Sequence, residues 1–146
     1  MEDENVVIAN RACFLARHLS NSGLRSITLV ILYDLGMPLN CHGFDYLKAA
    51  IAVAYSNHTQ IVVKEIYDAV RLQYDAQTDV TSVEQAIRSL IGKAWQCRRE
   101  YRWEWYFPTS VTGKRTPPSN LEFISGIVYF LEMWHECNEE AGYERV

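Results

Sequence analysis

The 146-residue chain lacks the sequence signatures of most enzymes, membrane proteins and metal sites. It has no apolar run long enough to cross a bilayer, no glycine-rich phosphate loop and no low-complexity segment. Its four histidines and four cysteines form no Cys-x-x-Cys pair, no metal-ligand spacing and no Ser-His-Asp arrangement. We therefore expect a protein that is not an enzyme and that binds neither a cofactor nor a metal ion nor a membrane.

Cys13, Cys41, Cys97 and Cys137 are widely separated along the chain. The N-terminus, Met1–Asn5, is acidic, which argues against a secretory signal. We therefore predict a cytoplasmic protein whose cysteines are reduced thiols with no special role beyond packing.

Charge is distributed unevenly along this acidic chain. The net charge is −4, but residues 1–80 carry −3, residues 81–120 carry +4 and residues 121–146 carry −5. Apolar residues make up 49% of the chain, enough to fill one core. A single cationic segment is expected where a surface faces phosphates, although fluctuation in a short window would also produce it.

Residues 81–95 have the pattern of an amphipathic helix. Thr81 and Glu84 have the spacing of a capping box at its start. The apolar residues recur every three or four positions and are Val83, Ala86, Ile87, Leu90, Ile91, Ala94 and Trp95. Polar side chains that can reach base edges and phosphates occupy the other face.

A second amphipathic helix is predicted at residues 61–74, with Ile61, Ile66, Val70 and Tyr74 towards the core. The turn at residues 75–80 joins it to the helix at 81–95. Two amphipathic helices in this arrangement indicate a helix-turn-helix that recognises DNA.

The rest of the chain is also predicted to be mostly helical. Ser26 can cap a helix whose β-rich residues would favour a strand on propensity alone, but Gly36-x-Pro38 is a typical helix stop. Ser119 and Glu122 form a second capping box. The predicted helices are Val6–Leu19, Ile27–Leu35, Phe44–Ser56 and a last one from Ser119 to about His135. The segment Tyr101–Phe107 fits a short helix, a strand or an extended wing.

Four blocks carry a family resemblance: Ile31–Pro38, Gly43–Ile51, Val83–Arg88 followed by Ala94-Trp95, and Pro118–Ile124. In this order they resemble the C-terminal DNA-binding domain of the sporulation initiation response regulator of Firmicutes, and the likeness covers roughly residues 27–131. The resemblance implies an all-α, winged-helix-like effector domain of about six helices around a helix-turn-helix. It also implies an N-terminal helical extension at 1–26, the DNA-binding domain at 27–138 and an acidic tail at 139–146.

The resemblance makes the segment at 83–88 the recognition helix, with Arg88 as its main reader of guanine. A salt bridge from Arg88 to Glu84 is the structural alternative. Ser82 and Gln85 fall where the family carries arginines, so the target sequence should differ; Gln85 can pair with adenine. The DNA-binding candidates are Thr81, Ser82, Glu84, Gln85, Arg88, Ser89, Lys93, Lys114 and Arg115.

The resemblance thus implies a transcription regulator of double-stranded DNA, as a stand-alone effector domain that forms a homodimer on tandem half-sites. The alternative is a protein-interaction module that retains the fold, does not bind DNA and modulates another transcription regulator. Five clustered aromatic residues could stack on unpaired bases or pack in the core or in a dimer, and packing is favoured: Trp95, Trp103, Trp105, Tyr106 and Phe107. Asp34 and Glu65 are interpreted as helix acids with no special role.

Overall fold

The chain folds into α-helices, as a computed structural model of residues 4–18, 23–57, 62–107 and 116–144 shows. These residues form seven helices and no strand, so the all-α prediction is confirmed with one helix more than the six expected. Within them, no helix combines the length and apolar character that crossing a membrane requires. The helices are α1 (Glu4–His18), α2 (Leu24–Asp34), α3 (His42–Ser56), α4 (Val63–Tyr74), α5 (Val80–Gln96), α6 (Glu100–Tyr106) and α7 (Asn120–Glu144).

The long helix α7 lies at the centre of the fold. It packs against α1, α2, α3, α5 and α6, while α3 also packs against α4 and α5. Phe123, Ile127, Phe130 and Trp134 form a buried stripe at helical spacing along α7. One continuous core therefore joins α1 to the helix-turn-helix.

The start of α7 agrees with the prediction, whereas its end does not. The capping box at its start is confirmed, because the Glu122 amide donates to Ser119 Oγ at 3.1 Å and the Ser119 amide donates to Glu122 Oε1 at 3.3 Å. The predicted end near His135 is wrong, since α7 continues to Glu144. Met133 and Cys137 continue its apolar stripe against the core, and α1 packs along the helix.

The prediction of four reduced cysteines is also wrong. Cys13 of α1 and Cys137 of α7 form a disulfide, with their Cα atoms 5.2 Å apart. Cys41 and Cys97 are free and exposed. The packing of α1 on α7 brings together two cysteines that are 124 residues apart, which their spacing could not reveal.

Helix α2 is confirmed although its residues favour a strand, but it begins earlier than predicted. Gly23 is its N-cap and Leu24 its first residue, so Ser26 lies inside the helix and does not cap it. The helix ends at a left-handed residue, Gly36 (φ 78°), and the Met37 amide donates to Leu32 O at 3.1 Å. This is how a glycine satisfies the last carbonyls of a helix.

Residues 101–106 belong to the short helix α6, which is anchored to the end of α2. Trp103 Nε1 donates to Leu35 O at 3.1 Å, and Tyr106 Oη donates to Asp34 Oδ2 at 2.9 Å. Arg102 forms an ion pair with the same carboxylate. Asp34 therefore has a structural role that the sequence interpretation denied it. Burial, and then the charge of Asp34, raise the pKa of Tyr106.

The core-packing interpretation of the aromatic segment is confirmed for Trp103 and Tyr106, which are buried. Trp103 makes edge contacts with Trp95 and Phe123, at centroid distances of 5.3 and 5.9 Å. The segment thus holds α5, α6 and α7 together.

Candidate nucleic-acid interface

Helices α4 and α5 form the predicted helix-turn-helix, packed face to face. The stripe of α5 is buried at Val83, Ile87, Leu90, Ile91 and Ala94, and α4 buries Ile66 and Val70. Tyr74 does not point to the core as predicted, because it ends α4 and is 47% exposed. Ile61 lies outside the described residues.

The turn between the two helices is fixed by aspartate side chains. Asp75 accepts hydrogen bonds from the Gln77 amide at 2.9 Å and from Thr78 Oγ1 at 3.1 Å. These bonds replace water on backbone and hydroxyl groups in the turn. The entry angle of the chain into α5 is thereby defined.

Helix α5 begins one residue earlier than predicted and has a different cap. Asp79 is the N-cap, and its carboxylate accepts the Ser82 amide at 2.7 Å. The predicted capping box of Thr81 and Glu84 is therefore wrong, since both residues lie within the helix. Hydrogen bonds from the Ser82 side chain and backbone hold the pKa of Asp79 below its usual value.

The position of α5 relative to α3 depends on Gly43, in the first turn of α3. A Cβ atom at Gly43 would lie 2.7 Å from Ala86 O and 3.3 Å from Leu90 Cβ. The two helices can approach this closely only because residue 43 has no side chain. Sequence reasoning noted Gly43 as part of a family block and not as a packing requirement.

A second constraint on α5 comes from Asn120, the first residue of α7. Its buried amide Nδ2 donates to Tyr67 Oη of α4 at 2.9 Å and to Glu84 O of α5 at 3.0 Å. One side chain thus connects both helices of the helix-turn-helix to the closing helix. Sequence reasoning missed this role, because nothing in the spacing of Asn120 identifies its partners.

The predicted DNA-facing side of α5 is exposed to solvent. Glu84 is half-buried, and the remaining candidates on this helix are exposed: Thr81, Ser82, Gln85, Arg88, Ser89 and Lys93. Lys114 and Arg115 lie outside the described residues. The structure therefore brings seven of the nine candidates onto one helix and does not test the other two.

The exposed candidates differ in their hydrogen bonds. Arg88, whose side chain is 66% exposed, forms an ion pair with Glu84 one turn earlier, as the structural alternative predicted. The backbone amide of Ser82 donates to the Asp79 cap. Gln85 and Lys93 make neither a hydrogen bond nor an ion pair with another described side chain. Gln85 and Lys93 are therefore the longest polar side chains of this face that are not already paired within the described structure.

The cations after α5 are largely engaged within the fold. Arg98 stacks on Trp95, with its Cζ 3.8 Å from the ring centroid, and donates to Trp95 O at 3.0 Å. Arg102 is paired with Asp34. Among the described residues, the positive charge of segment 81–120 is thus shared between the α5 face and the anchoring of α6.

A family model matches residues 28–131 of the chain. The matching model is described as the sporulation initiation factor Spo0A C terminal. It represents a DNA-binding domain of a transcription factor and not an enzyme family. The match runs from α2 into α7 and includes the whole helix-turn-helix, whereas α1 and both cysteines of the disulfide lie outside it.

Proposed function

The chain belongs to the family of the sporulation initiation factor Spo0A C-terminal domain, and we propose that it is a transcription regulator that inserts α5 into the major groove of duplex DNA. The observation that supports this most is the exposed polar face of α5, opposite a stripe that is fully packed. The contacting residues would be Thr81, Ser82, Glu84, Gln85, Arg88, Ser89 and Lys93, with Lys114 and Arg115 near phosphates.

The energetics favour a change of partner by Arg88 on binding. An exposed ion pair such as that of Arg88 with Glu84 contributes under about 1 kcal/mol. A bidentate contact of arginine with guanine O6 and N7 contributes about 1–3 kcal/mol of discrimination. The guanidinium can therefore leave Glu84 for a base edge with a net gain. Lys93 has no ion pair to break within the described structure and can bind a phosphate directly.

Fluorescence anisotropy with random duplex DNA at low and moderate salt tests the proposal, followed by selection and sequencing of the bound fraction. Arg88→Ala should weaken binding to the selected sequence severalfold, because it removes a base contact. Lys93→Ala should lower the slope of log affinity against log salt by about 0.9, the value for one released counterion. Unchanged affinity in Arg88→Ala would contradict the assigned role of this arginine.

Arg25→Ala provides a charge-matched control. Arg25 is exposed on α2, outside the helix-turn-helix, so its loss changes the net charge by the same amount as either variant of α5. Neither the affinity nor the salt slope should change. A selected motif that repeats at the spacing of one helical turn would support the proposed homodimer on tandem half-sites.

The alternative function is a protein-interaction module that modulates another transcription regulator. Two observations favour it: Asp79 places a carboxylate at the N-terminus of α5, which would repel phosphates there, and Phe14 of α1 is 48% exposed. Phe14 contacts the ring of Trp105 edge-on at 5.5 Å, so α1 and α6 share an aromatic surface. No DNA complex at any salt, together with a regulator that co-purifies, would establish this function instead.

A further inference from the structure

We propose that Gln85 determines the DNA sequence specificity of this protein by reading an adenine in the major groove. The inference rests on the DNA binding proposed above and assigns one further base contact. It is argued from the hydrogen bonds that the exposed side chains of α5 already make within the protein.

Gln85 lies in the middle of the exposed face, three residues after Ser82 and three before Arg88. Arg88 is paired with Glu84, and the backbone amide of Ser82 donates to Asp79. The amide of Gln85 is exposed and makes no hydrogen bond with the described residues. It can therefore meet a base without breaking an existing contact.

The chemistry of the amide selects the base. A glutamine presents one acceptor and one donor side by side, and adenine presents the complementary N7 acceptor and N6 donor in the major groove. Guanine presents two acceptors there, which suit the donors of an arginine and leave the amide oxygen of a glutamine without a partner. Gln85 should therefore prefer A·T to G·C at its base pair, by roughly 5- to 150-fold in affinity.

The spacing along α5 also places the adenine relative to a second base. Gln85 and Arg88 are separated by about 4.5 Å along the helix axis, at 1.5 Å per residue. Successive base pairs are about 3.4 Å apart. The adenine read by Gln85 should therefore lie within one or two base pairs of the guanine read by Arg88.

The test is selection from random duplex DNA with the wild type, Gln85→Ala, Gln85→Arg and Gln96→Ala. The affinities of all four for the wild-type motif, and for a duplex with its adenine changed to guanine, are then measured. Gln96 is the matched control: it is an exposed glutamine at the last residue of α5, about 16 Å further along the axis.

The wild type and Gln96→Ala should enrich the same adenine and discriminate against guanine equally. Gln85→Ala should bind both duplexes within about twofold of each other, and Gln85→Arg should prefer guanine. Circular dichroism should show native helicity in all variants, because residue 85 is exposed. Unchanged discrimination in Gln85→Ala, or a motif without a specified adenine, would overturn this inference and leave the proposed DNA binding standing. No DNA binding by the wild type at any salt would overturn both.

Discussion

Replacement of Gly43 by alanine should destabilise the protein, although alanine favours helices over glycine. Gly43 lies in the first turn of α3, where its missing side chain allows the close approach of α5. In an uncrowded helix the substitution would stabilise the fold by up to about 1 kcal/mol. At this position the added Cβ would lie 2.7 Å from a backbone oxygen, Ala86 O, which belongs to α5 and cannot rotate away.

The magnitude follows from the contacts at the new Cβ atom. Carbon atoms pack favourably at about 3.5–4.0 Å, so α5 must move by several tenths of an ångström or more. Overpacking of this kind costs about 1–3 kcal/mol, which exceeds the gain in helix propensity. We expect Gly43→Ala to lower the free energy of unfolding by about 1–2 kcal/mol and to weaken DNA binding, because it displaces the helix that carries Gln85 and Arg88.

Gly92→Ala is the matched control for this experiment. Gly92 lies inside α5, and nothing lies within 4 Å of the position of its added Cβ atom. This variant should gain about 0.5–1 kcal/mol. Urea unfolding followed by circular dichroism measures both changes, with equal m-values showing that the surface exposed on unfolding is unchanged. The reasoning would be refuted if Gly43→Ala were as stable as the wild type, or if both variants lost the same stability.

Two further substitutions test the links that hold α7 in place. Asn120→Asp keeps the shape of the side chain but replaces the amide donor with an acceptor. Tyr67 Oη can reverse its bond and donate, but the bond to the Glu84 carbonyl of α5 is lost; thermal and urea unfolding should show a loss of about 1–3 kcal/mol. Cys13→Ser removes the disulfide to α7 and should lower the free energy of unfolding by about 2–5 kcal/mol, whereas Cys97→Ser, at an exposed free thiol, should change it little. A count of four free thiols in the unfolded, unreduced wild type would contradict the second prediction.

The helices could be predicted from the sequence because their apolar residues follow the helical period. The stripe of α5 is an example, since the packing of Val83, Ile87 and Leu90 against the core follows from their spacing alone. The end of α7 could not be predicted in this way. Its last turns carry an acidic sequence, and the helix packs against α1, which is distant in the chain.

The start of α5 was predicted wrongly because two possible capping motifs overlap there. Asp79 with Ser82, and Thr81 with Glu84, both have the spacing of a cap, and the chain uses the first pair. Aspartate is a somewhat better N-cap than threonine, which explains the outcome after the fact. The choice between overlapping caps depends on the residue at which the preceding turn ends. Side-chain hydrogen bonds within that turn determine this residue.

The exposed face of α5 could be predicted from the sequence. Which of the nearby charged side chains are already paired within the protein could not. A formal charge of +4 on residues 81–120 suggested a broadly cationic surface. In the folded chain, however, Arg102 neutralises Asp34 and Arg98 lies on Trp95, so these two cations serve α6 and the end of α5. The proposed DNA complex would therefore have fewer phosphate contacts than the formal charge suggests, unless these two cations leave their partners. Base contacts would then contribute more of its specificity. Gln85, on the exposed face of α5, has a side-chain amide for such a contact that makes no hydrogen bond with the described residues.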